Sequence, residues 1–305
     1  MLEGIVREVV AELARDLVAE TRALHAAVSA LARAPGADAR ERARRAFQRA
    51  APAWKRAQAF RSGPFASSQI FQRAAFWPTN VAAVDALLAA PTAIDEALVE
   101  GLGVDARGLW ALEYVLFAPP FAEALGAAAP FGARLRSYAQ EVAVSTLGYA
   151  LRLARELGDA RRYARAFAAA GQASLNELTA QQLDTLEIVR GKLQRASRAV
   201  AERTPLETAL EGYFCGRSSE LTAALLVGAQ RLYLGGLCEL VADQAPEVDA
   251  RVRASFTSLE HAFRALPPSL ALAVTARPAA LRAALLALDG AQHVLEVEMR
   301  AALEA

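Results

Sequence analysis

Cysteine and histidine are both scarce in this chain. It has two cysteines, Cys215 and Cys238, and three scattered histidines, His25, His261 and His293. This set cannot form a zinc site of the usual Cys or Cys/His type. Both cysteines lie in apolar helical sequence, where a free cysteine is usually part of the core, so we expect two thiols rather than a disulfide.

Lysine is almost absent. The chain has 34 basic and 33 acidic residues, a net charge of +1, and lysine only at Lys55 and Lys192. A chain without a large basic field is not expected to bind nucleic acid. We attribute the excess of arginine and alanine to the base composition of the genome, and we assign it no functional meaning.

Long uninterrupted apolar runs are also missing. The most apolar stretch, Leu221 to Val241, contains Gln230, Arg231 and Glu239, so no transmembrane span is predicted. The first turns are charged and lack the apolar core of a signal peptide. The protein is therefore expected to be either cytoplasmic or a mature chain from which a signal peptide has been removed.

Strand patterns are not found, whereas helical periodicity runs nearly from end to end. Apolar residues near the start recur at spacings of three, four and seven, as in a bundle helix: Val10, Leu13, Leu17, Leu24, Val28 and Leu31. With 305 residues, 54% of them apolar, the chain is long enough for two domains. We predict an all-α fold of two helical bundles, residues 1–170 and 171–305, packed together with a cleft between them.

Helix starts are predicted from capping residues. Thr92, after Pro91, is expected to cap the helix that follows it. Thr204-Pro205-Leu206-Glu207 combines a Thr cap, a Pro at the first helical position and a capping-box Glu.

Two segments depart from a simple amphipathic pattern. The first contains Trp54, Phe60, Arg61 and Gly63-Pro64-Phe65, and continues to Phe76-Trp77-Pro78. The second runs from Gly108 to Phe117 and places Glu113 in an otherwise apolar helix. A carboxylate in such surroundings requires a partner, and we expect Arg61 to provide it. The pair either joins two helices or belongs to an ion or ligand site.

The ordered set of segments resembles the imelysin-like family. The N-terminal half carries Trp…Phe-Arg-x-Gly-Pro, Phe-Trp-Pro and Gly-x-x-x-x-Glu. The C-terminal half carries Ser174-Leu-Asn176-Glu-Leu, Gly216-Arg217-Ser218-Ser219 and Leu232-Tyr233-Leu-Gly235-Gly236-Leu237. The resemblance covers most of the chain. It implies two related helical bundles, a site between them, and a place in the bacterial periplasm or outer cell envelope, with a link to iron regulation.

The family signature is Gly-x-His-x-x-Glu, whose His and Glu are supposed to bind metal. Here the glycine matches Gly108 and the glutamate Glu113, but the histidine position holds Trp110. Indole offers no lone pair to a metal ion. Glu113 is therefore the only family-matched candidate for a metal ligand, and iron or another divalent metal is an open expectation.

Three functions are compared. The first is a non-catalytic envelope protein that binds a small, metal-linked ligand in the cleft and takes part in iron or metal uptake. The second is an interaction scaffold with an envelope protein partner and a vestigial site. The third is a metallopeptidase, as the family is also named, which the missing histidine disfavours. The ligand-binding residues predicted for the first function are Arg61, Trp77, Gly108, Trp110, Glu113, Tyr114, Arg217 and Ser218.

Overall fold

The computed structural model describes residues 2–67, 69–157 and 160–304. The chain is 82% helical, and these ranges contain no strand. The predicted all-α class is therefore confirmed. The division into two bundles at residue 170 stays a prediction, although a helix break does fall at Gly171, which has a φ of 53°.

Twelve α-helices of seven or more residues organise the part of the chain that the structure describes. They are α1 (Ala11–Arg33), α2 (Ala37–Ala57), α3 (Val81–Ala89), α4 (Leu109–Phe117), α5 (Pro130–Glu156), α6 (Ala160–Ala169), α7 (Gln172–Glu202), α8 (Ser218–Leu232), α9 (Cys238–Gln244), α10 (Pro246–Arg264), α11 (Leu270–Ala276) and α12 (Pro278–His293).

Shorter helical pieces complete the chain. Five are α-helical: Leu2–Gly4, Pro64–Ser67, Ile70–Ala74, Glu96–Gly101 and Leu206–Ala209. Three are 3-10 turns, Val104–Ala106, Pro119–Phe121 and Ala124–Gly126, and three are π-helical turns, Ile5–Val10, Tyr233–Leu237 and Val294–Met299. A last short α-helix is Arg300–Glu304.

Helix α2 connects the two halves of the chain. On one side α1 packs along α2 and α5, and on the other α8 packs against α2, α7 and α10. The apolar stripe predicted for α1 is fully buried in this arrangement. The contact between α2 and α8 is close at Gly228, where a Cβ atom would lie 2.3 Å from the Arg56 carbonyl oxygen. The absence of a side chain there lets the two backbones approach.

Two predicted helix caps differ from the structure. The helix after Pro91 begins only at Glu96, and the side chain of Asp95, not Thr92, accepts the N–H of Leu98 at 2.9 Å. The helix after Pro205 has only four residues and no side-chain cap. An aspartate directly before the first turn can reach that turn's free N–H groups, whereas Thr92 lies too far from them.

Ser218–Gln244 is long and apolar enough to cross a membrane by length and composition, and 67% of its most apolar window is buried within the chain. The bent pair Leu270–Ala276 and Pro278–Leu303 passes the same test only when counted together. Core helices of this kind are expected to pass such a test.

Candidate functional site

The N-terminus of α4 is fixed against the segment that precedes Phe76. Gly108 has a φ of 82°, and a Cβ atom there would lie 2.5 Å from the Ala74 carbonyl oxygen. Two residues on, the indole N–H of Trp110 donates to the Ala75 carbonyl oxygen at 3.0 Å. Because glycine alone fits this approach without strain, Gly108 sets the position of the residues that follow it.

Glu113 is buried, with 2% of its surface exposed, and its Oε1 accepts the backbone N–H of Cys215 at 2.9 Å. Burial raises the pKa of this carboxyl to about 7, and the negative charge of Glu211 adds to the increase. The N–H groups of Cys215 and Phe214 act in the opposite direction, because they stabilise the carboxylate. Glu113 is thus poised to gain or lose a proton near neutral pH.

The predicted ion pair between Arg61 and Glu113 is not formed. The Arg61 guanidinium donates to the Gln181 carbonyl oxygen at 3.2 Å and lies 3.6 Å from the Asp184 carboxylate. The Arg61 backbone N–H also donates to Gln181 Oε1, at 2.9 Å. This double contact turns Arg61 toward α7 and away from Glu113, whose carboxylate is satisfied by backbone instead.

A buried cluster of two ammonium groups and one carboxylate lies beside Trp110. Glu211 binds the ammonium of Lys55 through one carboxylate oxygen and that of Lys192 through the other. Lys55 also donates to Gln58 Oε1 at 2.9 Å, and its Nζ lies 5.2 Å from the centre of a Trp110 ring. The lysine cluster, as we name Lys55, Lys192 and Glu211, therefore joins α2 to α7 and to the segment before α8.

Burial and the neighbouring charges act in opposite directions on the pKa values of Lys55 and Glu211. Burial lowers the pKa of Lys55 to about 8, although Glu211 opposes this. Burial would raise the pKa of Glu211, but the ammonium groups of Lys192 and Lys55 outweigh it and hold the pKa at about 2. Glu211 is therefore a permanent carboxylate at neutral pH.

The lysine cluster forms one wall of a cavity of about 500 Å³, which we name the lysine cavity. Its polar lining is Lys55, Gln58, Arg61, Gln69, Gln72, Lys192 and Glu211, and its aromatic lining is Phe65, Phe71, Phe76 and Trp77. Lys192 and Arg195 lie over the Trp77 ring, at 5.8 and 5.3 Å from a ring centre. The cavity thus combines cationic groups with flat apolar surfaces.

The structure brings together some of the predicted site residues. Arg61 and Trp77 line the lysine cavity. Trp110 lies behind its wall in contact with Lys55, and Gly108 holds the start of the same helix. Glu113, one turn further along α4, is bound by the segment before α8.

Three other predicted residues point elsewhere. Tyr114 donates its hydroxyl to Asp85 at 2.8 Å. Arg217 is ion-paired with Glu220 at 2.5 Å, and Ser218 Oγ accepts the N–H of Leu270 at 2.8 Å. None of the three is among the residues that line the lysine cavity. The segment before α8 does reach Glu113, but through the backbone N–H of Cys215 rather than through the side chains of Arg217 and Ser218.

The family model for imelysin, peptidase family M75, matches residues 10–295 of this chain. The chain belongs to the imelysin family. Among solved structures, it is similar to a protein described as an iron-regulated protein A precursor from Parabacteroides distasonis. That pair has a TM-score of 0.81 and 16% identity, with 98% of this chain and 94% of the other covered.

An imelysin-like protein from Psychrobacter arcticum is similar at a TM-score of 0.80 and 15% identity, with 99% of this chain and 94% of the other covered. Likeness at this level of identity shows the shared fold. No curated protein matches the chain.

The metal expected from the imelysin signature does not fit the residues present. Trp110 uses its only N–H on Ala75 and offers no lone pair, and the Glu113 carboxylate faces an N–H donor. In the described part of the chain, no group of three or more His, Cys, Asp or Glu residues could hold a metal ion. The ammonium of Lys55 instead places a fixed positive charge against Trp110. Cys215 and Cys238 are free thiols.

Sequence reasoning missed the three members of the lysine cluster. A signal was nevertheless present, because Lys55 and Lys192 are the only two lysines among 34 basic residues. That both bind one carboxylate is visible only in the structure. Glu211 itself follows a short helix and carries no comparable sequence signal.

Proposed function

We propose that this imelysin-family chain is a non-catalytic binding protein of the bacterial cell envelope. It takes up a small, anionic, aromatic-bearing ligand in the lysine cavity. The single observation that carries the proposal is the combination of cationic and aromatic side chains around one cavity of about 500 Å³. That volume lies within the range of small-molecule sites.

The charge of the lining favours an anion. Lys55, Arg61 and Lys192 supply three positive charges, and Glu211 supplies one negative charge, which leaves an excess of two. Arg61 is held by the backbone carbonyl oxygens of Gln58 and Gln181 and by the exposed carboxylate of Asp184 at 3.6 Å, and its guanidinium still lines the cavity, where it can bind a carboxylate ligand. Such charge-assisted bonds give both affinity and orientation.

The aromatic lining favours a flat, partly apolar ligand. Trp77 is the best-placed surface, because Lys192 and Arg195 fix its ring. A catecholate or an aromatic carboxylate fits both features of the cavity, and catecholates chelate ferric iron. We therefore propose that metal reaches this protein as cargo of an anionic ligand. A protein with the same fold is described as iron-regulated, and this description supports the link.

A metallopeptidase is not favoured, because the donor set at Trp110 and Glu113 does not fit a metal ion. The interaction scaffold is the alternative that remains if the lysine cavity binds nothing. The two are separated by a direct binding measurement.

The experiment is isothermal titration with 2,3-dihydroxybenzoate, its ferric complex and benzoate. We expect one site for 2,3-dihydroxybenzoate and tighter binding of the ferric complex. Arg61→Gln should weaken binding about tenfold, the loss of roughly one charge-assisted hydrogen bond.

The matched control is Arg282→Gln, because Arg282 is an exposed arginine of α12 that does not line the lysine cavity. It should change the affinity far less. Equal affinity for the ferric complex and for free 2,3-dihydroxybenzoate would contradict the proposal that metal reaches the protein as cargo of the ligand. No binding of any of the three probes would overturn the proposed function and favour the scaffold.

A further inference from the structure

A second cavity of about 500 Å³ lies on the other face of the contact between α2 and α8. We name it the proline cavity, after Pro52, Pro267 and Pro268 in its lining. It shares no lining residue with the lysine cavity. It is therefore a separate site on the same two helices, closed on its third side by α10.

The walls of the proline cavity are mostly apolar. The apolar lining includes Leu226 from α8 and Phe256, Leu259 and Phe263 from α10. The rim carries two carboxylates, but both are neutralised: Glu220 is paired with Arg217, and Glu260 with Arg264. An apolar chain or ring would be well accommodated here.

Two buried hydrogen-bond donors in the lining have no partner among the described residues. They are Oγ of Ser219, a residue with 3% exposure, and Nε of Arg56. Ser219 is held next to Pro267-Pro268, because its backbone N–H donates to the Pro268 carbonyl oxygen at 2.8 Å. An unsatisfied buried polar atom is costly, and native structures keep few of them.

The two unsatisfied donors determine which chemical groups a ligand of this cavity must carry. Arginine can only donate, and a serine hydroxyl can turn to donate to a neighbouring acceptor. A ligand that satisfies both must present an acceptor, and the guanidinium of Arg56, which the carboxylates of Asp16 and Glu20 also face, favours a carboxylate over a neutral carbonyl. The apolar walls require that the rest of this ligand be apolar.

We propose that the proline cavity is a second ligand site for an amphipathic carboxylate, such as a medium-chain fatty acid. Its apolar tail packs against Phe256, Leu259 and Phe263. Its carboxylate accepts hydrogen bonds from Ser219 and Arg56. This site goes beyond the proposed function, and it stands or falls independently of the lysine cavity.

The test is isothermal titration with decanoate, with 1-decanol as the probe that lacks a carboxylate. We expect one decanoate per chain and weaker binding of decanol. Ser219→Ala removes the hydroxyl and should raise the decanoate Kd about tenfold. Ala223→Trp fills the proline cavity and should abolish binding, since Ala223 lies in its lining.

The matched control is Ala66→Trp, which fills the lysine cavity instead. It should leave decanoate binding unchanged. Far-UV circular dichroism and a cooperative thermal transition establish that each variant is folded. If Ala223→Trp does not fold, the Kd of Ser219→Ala for decanoate and the binding of decanol to the natural protein test the proposal instead. Failure of decanoate to bind, equal binding of decanol, an unchanged Kd in Ser219→Ala, or loss of binding in Ala66→Trp would each overturn the proposal.

Discussion

The ammonium of Lys55 is ion-paired with the carboxylate of Glu211, and only 5% and 6% of these two side chains are exposed. Lys55 belongs to α2 in the first half of the chain, whereas Glu211 lies between α7 and α8 in the second. Burying such a pair costs desolvation energy that an apolar pair would not. Its presence in a cavity wall is consistent with a binding role that requires a fixed charge.

Removal of Lys55 should destabilise the protein strongly. Lys55→Met leaves Glu211 buried with one partner, and we expect the free energy of unfolding to fall by about 3 kcal/mol. Urea denaturation at pH 7 measures the change. Lys192→Met should cost less, because the Lys192 side chain is 19% exposed and its removal opens Glu211 to solvent.

The double variant Lys55→Met/Glu211→Met measures the interaction between Lys55 and Glu211 apart from the effect of losing either residue alone. Because it buries no unpaired carboxylate, it should be no less stable than Lys55→Met alone. A double variant that loses the sum of both single effects would show that the two groups do not interact.

Glu113 should make the stability of the protein depend on pH. Its pKa is about 7 in the folded chain against 4.5 as the ordinary value. Between these two pH values the unfolded chain releases the proton and the folded chain keeps it, so the folded state loses stability as pH rises. Above pH 7 the loss is complete, and it amounts to roughly 3 kcal/mol.

Glu113→Gln removes this dependence and retains an oxygen for the Cys215 N–H. Its stability relative to the natural protein should therefore increase between pH 5 and pH 8, as measured by urea unfolding at both. Glu239→Gln, at an exposed glutamate, should show no such increase. If the free energy of unfolding of Glu113→Gln differed from that of the natural protein by the same amount at both pH values, the raised pKa would be contradicted.

Gly108 should be essential for the placement of α4. Gly108→Ala forces a Cβ atom toward the Ala74 carbonyl oxygen at a positive φ, and we expect a loss of about 2 kcal/mol or more. Gly191→Ala is the matched control, since a Cβ in the middle of α7 meets no atom within 4 Å. It should stabilise the protein by about 0.5–1 kcal/mol. Thermal unfolding of both variants gives opposite shifts in Tm if this holds.

Periodicity was sufficient to predict the all-α class, because a buried stripe such as that of α1 is a local property of the sequence. The burial of Glu113 was also readable, since every neighbour on α4 is apolar. Its partner was not, because a backbone N–H of Cys215 carries no side-chain signature. Arg61 contacts Gln181 rather than Glu113 because of how α7 packs against the end of α2. A single sequence does not encode that packing locally.

The most direct test of the lysine cavity uses the two lysines as reporters. Protein labelled with ¹³C-lysine should give one Cε correlation each for Lys55 and Lys192, assigned through Lys55→Met and Lys192→Met. We predict that 2,3-dihydroxybenzoate shifts both signals, with the same Kd as calorimetry. Binding heat without movement of either signal, or no binding at all, would contradict the assignment of this cavity as the ligand site.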